Sequence, residues 1–395
     1  VTSDLSQFKN IDEGKLLLLG GELDCWEKIS SEEKDYVFDY NCMPEDNFNI
    51  IYSSGTTGVP KGIVQTHRAR SHWATSNAIE MSFNSECKSL TTTALYSNGT
   101  WLMMLPTLFV GGTLHVMTGF DPKAFVDLVQ RERITHTFLV PPQFSAILSL
   151  ENLEKDSFSS LKTILSAGSP LRLDVKESIL TSMSENLFEL YGFSEGFATM
   201  LKPHDQRKKF GSVGTPVLGF EIKIIDEKGN ECSPNVAGEI AGYGAGMMKE
   251  YYNEVELTNS LIWTDNRGRS FIKSGDIGSL DEDGFLTILD RKKDMIISGG
   301  LNVFPVDIEE VVGKHPDIVD VTVIGVPHEK WGETCIALII PKDGVEIDCD
   351  EIKNWSNEKL AKHQRLFKVE TREEFPRNAL GKVLKRVLRE PYWSH

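Results

Sequence analysis

Thiol frameworks, membrane spans and basic surfaces are all poorly represented in this sequence. The six cysteines, Cys25, Cys42, Cys87, Cys232, Cys335 and Cys349, are scattered and never fall as Cys-x-x-Cys. That spacing sets the expectation of reduced thiols in the cytoplasm, not of a disulfide or zinc framework. No apolar run is long enough to span a bilayer; the longest, around 101–110, is broken by Pro106 and reads as core. Repeats and low-complexity tracts are missing, a secretory leader is not recognisable, and the terminal Trp393-Ser394-His395 is not a peroxisomal address. Positive charge is scarce, with 42 Lys and Arg against 58 Asp and Glu for a formal net charge of −16. That balance argues against a nucleic-acid backbone or an anionic membrane as the main partner. The sequence opens on Val1, not Met, which sets the expectation that the natural N-terminus lies upstream.

What is present is a chain of 395 residues, too long for one ordinary core and therefore expected to form two or more domains. Alternating patterns predict strands at 16–19, 49–52, 112–117, 135–140, 161–166 and 186–191, with helices at 69–81 and 122–131. That alternation implies an α/β fold with parallel strands. From Gly211 the pattern changes to short strands and turns, with 219–226 alternating and Asp281-Glu282-Asp283-Gly284 turning a hairpin. After Arg291 comes a smaller segment, with helices predicted at 305–313 and 350–362, strands at 318–323 and 335–340, and a basic helix at 382–389. The boundary is placed near Asp290–Asp294, giving domains 1–290 and 291–395.

The most informative stretch runs from Tyr52 through Ser53, Ser54, Gly55, Thr56, Thr57 and Gly58 to Lys61-Gly62. Glycines let backbone N–H groups approach a polyanion, and hydroxyls with an ammonium add donors, so a loop of this composition after a strand reads as a phosphate cradle. It is not the Walker pattern, since Pro60 precedes Lys61 and no Ser or Thr comes after it. Gly192-x-Ser194-x-Gly196 fits two functions: a nucleophile elbow with Ser194 attacking, or a turn in which Ser194 touches phosphate and Glu195 binds magnesium. Asp276 could accept both hydroxyls of a ribose or be an ordinary turn aspartate. Arg291, Gly299, Gly300 and Lys382 are by themselves a charged linker, a glycine turn and a surface lysine.

Together, in order and spacing, Ser53–Gly62, Leu190–Glu195, Ser274–Asp276, Asp290–Gly300 and Pro376–Lys382 resemble the ATP-dependent adenylate-forming superfamily, which includes acyl-CoA synthetases, peptide-synthetase adenylation domains and firefly luciferase. Ala167-Gly168-Ser169-Pro170, Tyr251-Tyr252-Asn253 and Gly299-Gly300-Leu301-Asn302 add to the match. Asp294–Gly300 and Val326-Pro327…Trp331-Gly332-Glu333 look most like an acyl-CoA synthetase. The resemblance covers nearly the whole chain. It implies a large α/β domain with a distorted β-barrel portion, lacking much of its usual N-terminal subdomain, and a small mobile α+β lid carrying the catalytic lysine.

The same resemblance implies ATP, Mg2+ and coenzyme A, with a small carboxylic acid as substrate. By position, Ser53, Ser54, Gly55, Thr56, Thr57 and Lys61 would hold the β- and γ-phosphates. Ala167, Gly168, Ser169, Glu189, Leu190 and Tyr191 would line the adenine, Ser194 would touch the α-phosphate and Glu195 would bind the metal. Asp276, Arg291 and Asn302 would complete the nucleotide site, Lys293 would be the hinge, and Lys382 would bridge the acid and the α-phosphate. Ser298, Gly299 and Gly300 would face the pantetheine thiol. The acid would lie among Tyr96, Ser97, Met103, Ile164, Leu190 and Thr199, a largely apolar set favouring a fatty or aryl acid. Many members carry a histidine where this chain has Ser97. Transfer to a carrier-protein thiol, a non-catalytic relic and a serine hydrolase remain as alternatives.

Overall fold

The structure is a computed structural model that describes residues 41–53, 61–377 and 381–393. It begins with a hairpin: β1 (Asn47–Ser53) pairs antiparallel with β2 (Lys61–Thr66), Ser53 opposite Lys61. The hydroxyl-rich loop therefore joins two strands; helix α1 (His67–Glu80) comes only after β2. Strand β1 leaves Ile50 and Tyr52 exposed. Ser54, Gly55, Thr56 and Thr57 lie outside the described residues, as does the strand expected at 16–19. Helix α1 starts on a Thr66 hydroxyl that accepts from the Ala69 amide at 3.1 Å, a conventional N-cap.

The chain then alternates through β3 (Lys88–Thr91), α2 (Asn98–Phe109), β4 (Thr113–Val116), α3 (Pro122–Glu132), β5 (His136–Leu139), α4 (Pro141–Leu148), β6 (Thr163–Ser166), α5 (Leu173–Ser182) and β7 (Leu187–Gly192). Strands β8 (Ala198–Leu201) and β9 (Thr215–Pro216) complete a seven-stranded sheet in the order β4-β3-β5-β6-β7-β8-β9, parallel through β7 and antiparallel beyond it. The Pro141-Pro142 pair, which ends a strand in the sequence pattern, also opens α4, because proline at the first helical position has no N–H to lose.

Helices cover both faces of this sheet, so its strands bury residues of either parity. Trp73, Met103, Phe138, Leu165, Phe188 and Leu190 fill one side; Phe125, Leu139, Phe144, Ile164, Ile179 and Leu187 fill the other. Beneath the second side, Lys176 of α5 bonds Glu189 of β7 at 2.9 Å, and its ammonium also donates to the Phe210 carbonyl. Burial pushes the Glu189 carboxyl up, opposed by Lys176. Removing one partner of a buried pair strands the other charge, so Lys176→Met is expected to lower unfolding free energy by about 3–5 kcal/mol in urea titrations. Lys176→Met with Glu189→Leu is expected to recover much of that loss; an unchanged midpoint for the single variant would remove the structural role.

A second sheet is built from β10 (Phe220–Ile225), β11 (Gly238–Gly244), β13 (Ile262–Thr264), β14 (Ser270–Leu280) and β15 (Leu286–Arg291), while β12 (Glu250–Tyr251) returns to pair with β2. The last sheet holds β16 (Ile296–Ser298), β17 (Leu301–Val303), β18 (Ile318–His328), β19 (Gly332–Pro341) and β20 (Leu366–Thr371), packed with α6 (Pro305–Val312) and α7 (Cys349–Asn357) around Ile308, Val323, Ala337 and Val369. Helix α7 is shorter than expected. The basic helix, α8, spans Lys385–Trp393, so Lys382 precedes it on an extended segment. Gly381 has φ +78° and Val383 forms a lone bridge with Arg377, which keeps the helix from starting at Lys382. Pro44–His395 packs as one compact unit.

Candidate active site

Three elements bring the titratable groups together. Asp276, a turn residue by its sequence context, lies inside β14 directly after Gly275, whose φ of +73° bends the strand. Its register partner on β15 is Arg291. The Tyr191 hydroxyl, at the end of β7, donates to Asp276 Oδ2 at 2.8 Å, and Arg291 Nε stands 3.4 Å from Oδ1. Burial, followed by the Asp276 charge, pushes the Tyr191 phenol well up, so it remains a donor. A largely buried carboxylate thus carries one neutral and one cationic partner.

Lys382 joins this group. Its ammonium is pulled down to about 8, first by burial and then by the Arg291 charge, while Asp276 and Asp294 act in the opposite direction. The segment is seated on the large sheet's helices: a Cβ at Gly381 would meet Pro142 of α4 at 2.9 Å. Arg377 donates to the Gly381 carbonyl at 2.6 Å and pairs with Asp320. A further tie runs from Arg172 to the Val319 carbonyl at 3.0 Å.

Ser194 and Glu195 sit in the antiparallel β7–β8 connection. A nucleophile elbow needs a strand-to-helix turn, so this geometry removes the support for the hydrolase reading. Tyr251 of β12 donates to Glu195 Oε1 at 2.6 Å, and Lys61 Nζ lies 5.2 Å from the centre of the same ring. Tyr251 therefore links the loop lysine to the acidic turn, a role its sequence motif does not reveal. Among the described residues no group of three or more His, Cys, Asp or Glu could hold a metal by itself. Magnesium fits such a place, since it takes one or two carboxylates plus phosphate oxygens and water, and Glu195 has a second oxygen to offer.

Several expected positions fall elsewhere. A cavity of about 420 Å3 is lined by Thr92, Thr93, Tyr96, Ser97 and Gln143 together with Arg377 and Gly381. Ala94, Val140 and Pro142 also line it, so hydroxyl and amide groups share the wall with apolar ones. Met103 and Thr199 are fully buried, and the Thr199 hydroxyl is spent on the Val213 carbonyl. Ile164 packs on the opposite side of the sheet from Leu190, because strand parity sends neighbouring residues to opposite faces. Glu189 can offer an adenine only its backbone, its carboxylate being held by Lys176. Ala167 and Gly168, the latter with φ +95°, come just after the carboxyl end of β6, beside that of β7, where open α/β sheets bind ligands.

Lys293 lies exposed in the turn after β15, its ammonium pulled down first by partial loss of solvent from its neighbours, and its carbonyl accepts from Arg389 at 3.0 Å. Ser298, Gly299 and Gly300 turn the β16–β17 hairpin, with Gly299 at φ +60° against Trp331. Asn302 is exposed on β17 opposite Ile297. No described helix is long and apolar enough to cross a membrane.

Comparison with known proteins accounts for this arrangement. The AMP-binding enzyme profile matches residues 6–252, and the AMP-binding enzyme C-terminal domain matches residues 307–382. Feruloyl-CoA synthase of an Amycolatopsis species is 32% identical over 347 residues, covering 87% of this chain and 69% of that protein. ATP-bound MatB of Rhodopseudomonas palustris superposes with a TM-score of 0.83 at 30% identity, over 89% of this chain and 69% of that one. The apo form of MatB gives 0.70. The o-succinylbenzoate CoA synthetase of Bacillus subtilis, in complex with its acyl-adenylate, gives 0.80 at 29% identity, over 88% and 70% of the two chains.

Proposed function

The chain belongs to the AMP-binding enzyme family, and from that membership we propose that it activates a carboxylic acid with ATP and transfers the acyl group to coenzyme A. One observation supports the assignment of roles: the charges of Arg291 and Asp276 act on the Lys382 ammonium, Arg291 faces Asp276, and Tyr191 ties Asp276 to the end of the parallel sheet. A carboxylate and a triphosphate repel one another, so the reaction requires cations and N–H donors set in place beforehand.

In the first step a carboxylate oxygen bonds the α-phosphorus while the α–β phosphoanhydride bond breaks, releasing pyrophosphate. Lys61 and the preceding loop hold the β- and γ-phosphates. Ala167, Gly168, Ser169, Leu190 and Tyr191 border the adenine, Ser194 meets the α-phosphate, and Asp276 with Arg291 takes the ribose. Lys382 neutralises the approach of acid to phosphate. Glu195 would hold magnesium, which supplies charge neutralisation on the phosphates. In the second step the coenzyme A sulfur bonds the acyl carbon and the bond to AMP breaks. Lys293 is the hinge between a large domain and a C-terminal lid, and Ser298, Gly299 and Gly300 admit the pantetheine arm. The reaction takes place in the cytoplasm.

Free coenzyme A separates this reading from loading of a carrier protein. With an accepted acid, ATP and magnesium, thiol consumption should match AMP formation one for one. AMP released at the same rate with and without coenzyme A, and no loss of thiol, would make coenzyme A the wrong acceptor.

A further inference from the structure

Arg70 of α1 is a buried cation with no counter-ion among the described residues. It is 5% exposed. Its Nε donates to Asn49 Oδ1 and its Nη1 to Asn98 Oδ1, both at 2.9 Å, and Nη2 has no partner among the described residues. Trp101 lies under the guanidinium, 4.8 Å from ring centre to Cζ. Burial alone pulls the group down to about 10, with no carboxylate acting on it. Buried charges are ordinarily paired, and an unsatisfied buried donor calls for an explanation.

Two more orphans share the place. Asn49 Nδ2 and Ser97 Oγ are likewise buried and unpaired among the described residues. Ser97 is the N-cap of the twelve-residue helix α2 but makes no capping bond with its side chain, and Asn98 is that helix's first residue. A helix start, a guanidinium and two further donors converge where no described acidic group answers them. Ser97 also lines the 420 Å3 cavity with Tyr96, and the next residue, Asn98, accepts from Arg70, so the guanidinium is linked to the cavity wall through consecutive residues.

We infer that Arg70, with Asn49, Ser97 and the start of α2, receives a second carboxylate borne by the acid substrate, remote from the reacting one. Arginine pairs planar carboxylates through two N–H groups, which suits the vacant Nη2 and its neighbours. The site is set back along the hairpin from the strand ends that carry the phosphate loop. Asn49 pairs with Gln65, four residues from the Ser53–Lys61 end of the hairpin that carries the loop, or about 13 Å at ~3.3 Å per residue. The inference rests on the ligase reading only for what carries the carboxylate.

Dicarboxylates and matched monocarboxylates, succinate against butyrate for example and an aromatic pair beside them, should be compared by thermal shift and calorimetry without ATP or coenzyme A, then by pyrophosphate release. The wild type should bind at least one dicarboxylate ten-fold or more tightly than its monocarboxylate partner. Arg70→Met should abolish that preference and Arg70→Lys should keep part of it. Asn98→Asp, which supplies an internal counter-ion while keeping the guanidinium, should abolish it too and serves if Arg70→Met does not fold. Equal protection by acetate or chloride would reduce the recess to a small-anion site and overturn the inference, as would a preference that survives Asn98→Asp. Dicarboxylate binding that depends on Arg70 but gives no pyrophosphate would uphold the site and count against the ligase reading alone.

Discussion

Lys382→Ala is expected to slow acid-dependent pyrophosphate release by about 10²–10³-fold, the scale of losing one oriented charge donor. Thioester formation from supplied acyl-adenylate should continue near the wild-type rate, because the second step does not need this ammonium. An equal loss in both steps would show that Lys382 only holds the C-terminal segment against Pro142. The depressed ammonium also gives a pH signature. Lysine acts here in its charged form, which is present below about 8 and lost above it. With kcat/KM reporting the free enzyme, adenylation efficiency should fall as pH rises through that value. Thioester formation from the adenylate should lack this limb.

Asp276→Asn should raise the KM for ATP by about ten-fold or more and erase discrimination against 2′-deoxy-ATP. A site built to bond a hydroxyl rejects the analogue lacking it because its own polar groups are left unpaired. Asparagine keeps the size but offers one acceptor where the aspartate offers two, so Tyr191 and Arg291 can no longer both be satisfied with the sugar. Stability should fall as well, since the Tyr191 hydroxyl and Arg291 both lean on the buried Asp276 carboxylate; unfolding measured beside the kinetics separates the two effects. A variant that still prefers ATP to its 2′-deoxy form as strongly as the wild type would remove Asp276 from the ribose.

The motifs are legible in the sequence because each is local chemistry: glycines and hydroxyls beside a lysine, a carboxylate after a glycine, a glycine turn before Lys382. Their order along the chain points to one nucleotide. The element on the far side of a loop is less legible. The turn after Tyr52 carries no mark distinguishing a return strand from a helix, and the structure supplies β2 before α1. Side-chain direction is the commonest source of error. Ile164 and Leu165 are equally apolar, and only the position of the helices on either face says which of them nears a ligand. Glu189 is available to a ligand by sequence alone, until α5 brings Lys176 beneath it.

Arg70 is invisible in the sequence for a related reason. In a helix reading His67-Arg68-Ala69-Arg70-Ser71-His72 it looks like one solvated charge among several. Its partner Asn98 belongs to a separate helix and Asn49 to a strand, so the burial and the vacant Nη2 exist only after α1 and α2 pack together. Tyr251 stands in a recognisable motif, but its contact with Glu195 depends on β12 returning to pair with β2.

Isotope exchange between pyrophosphate and ATP tests the chemistry most directly. With an accepted acid and magnesium, and coenzyme A left out, labelled pyrophosphate should enter ATP at a rate that rises and saturates with the acid. Exchange that proceeds equally without any acid, or that is absent while thioester still forms, would contradict an acyl-adenylate held between Asp276 and Lys382.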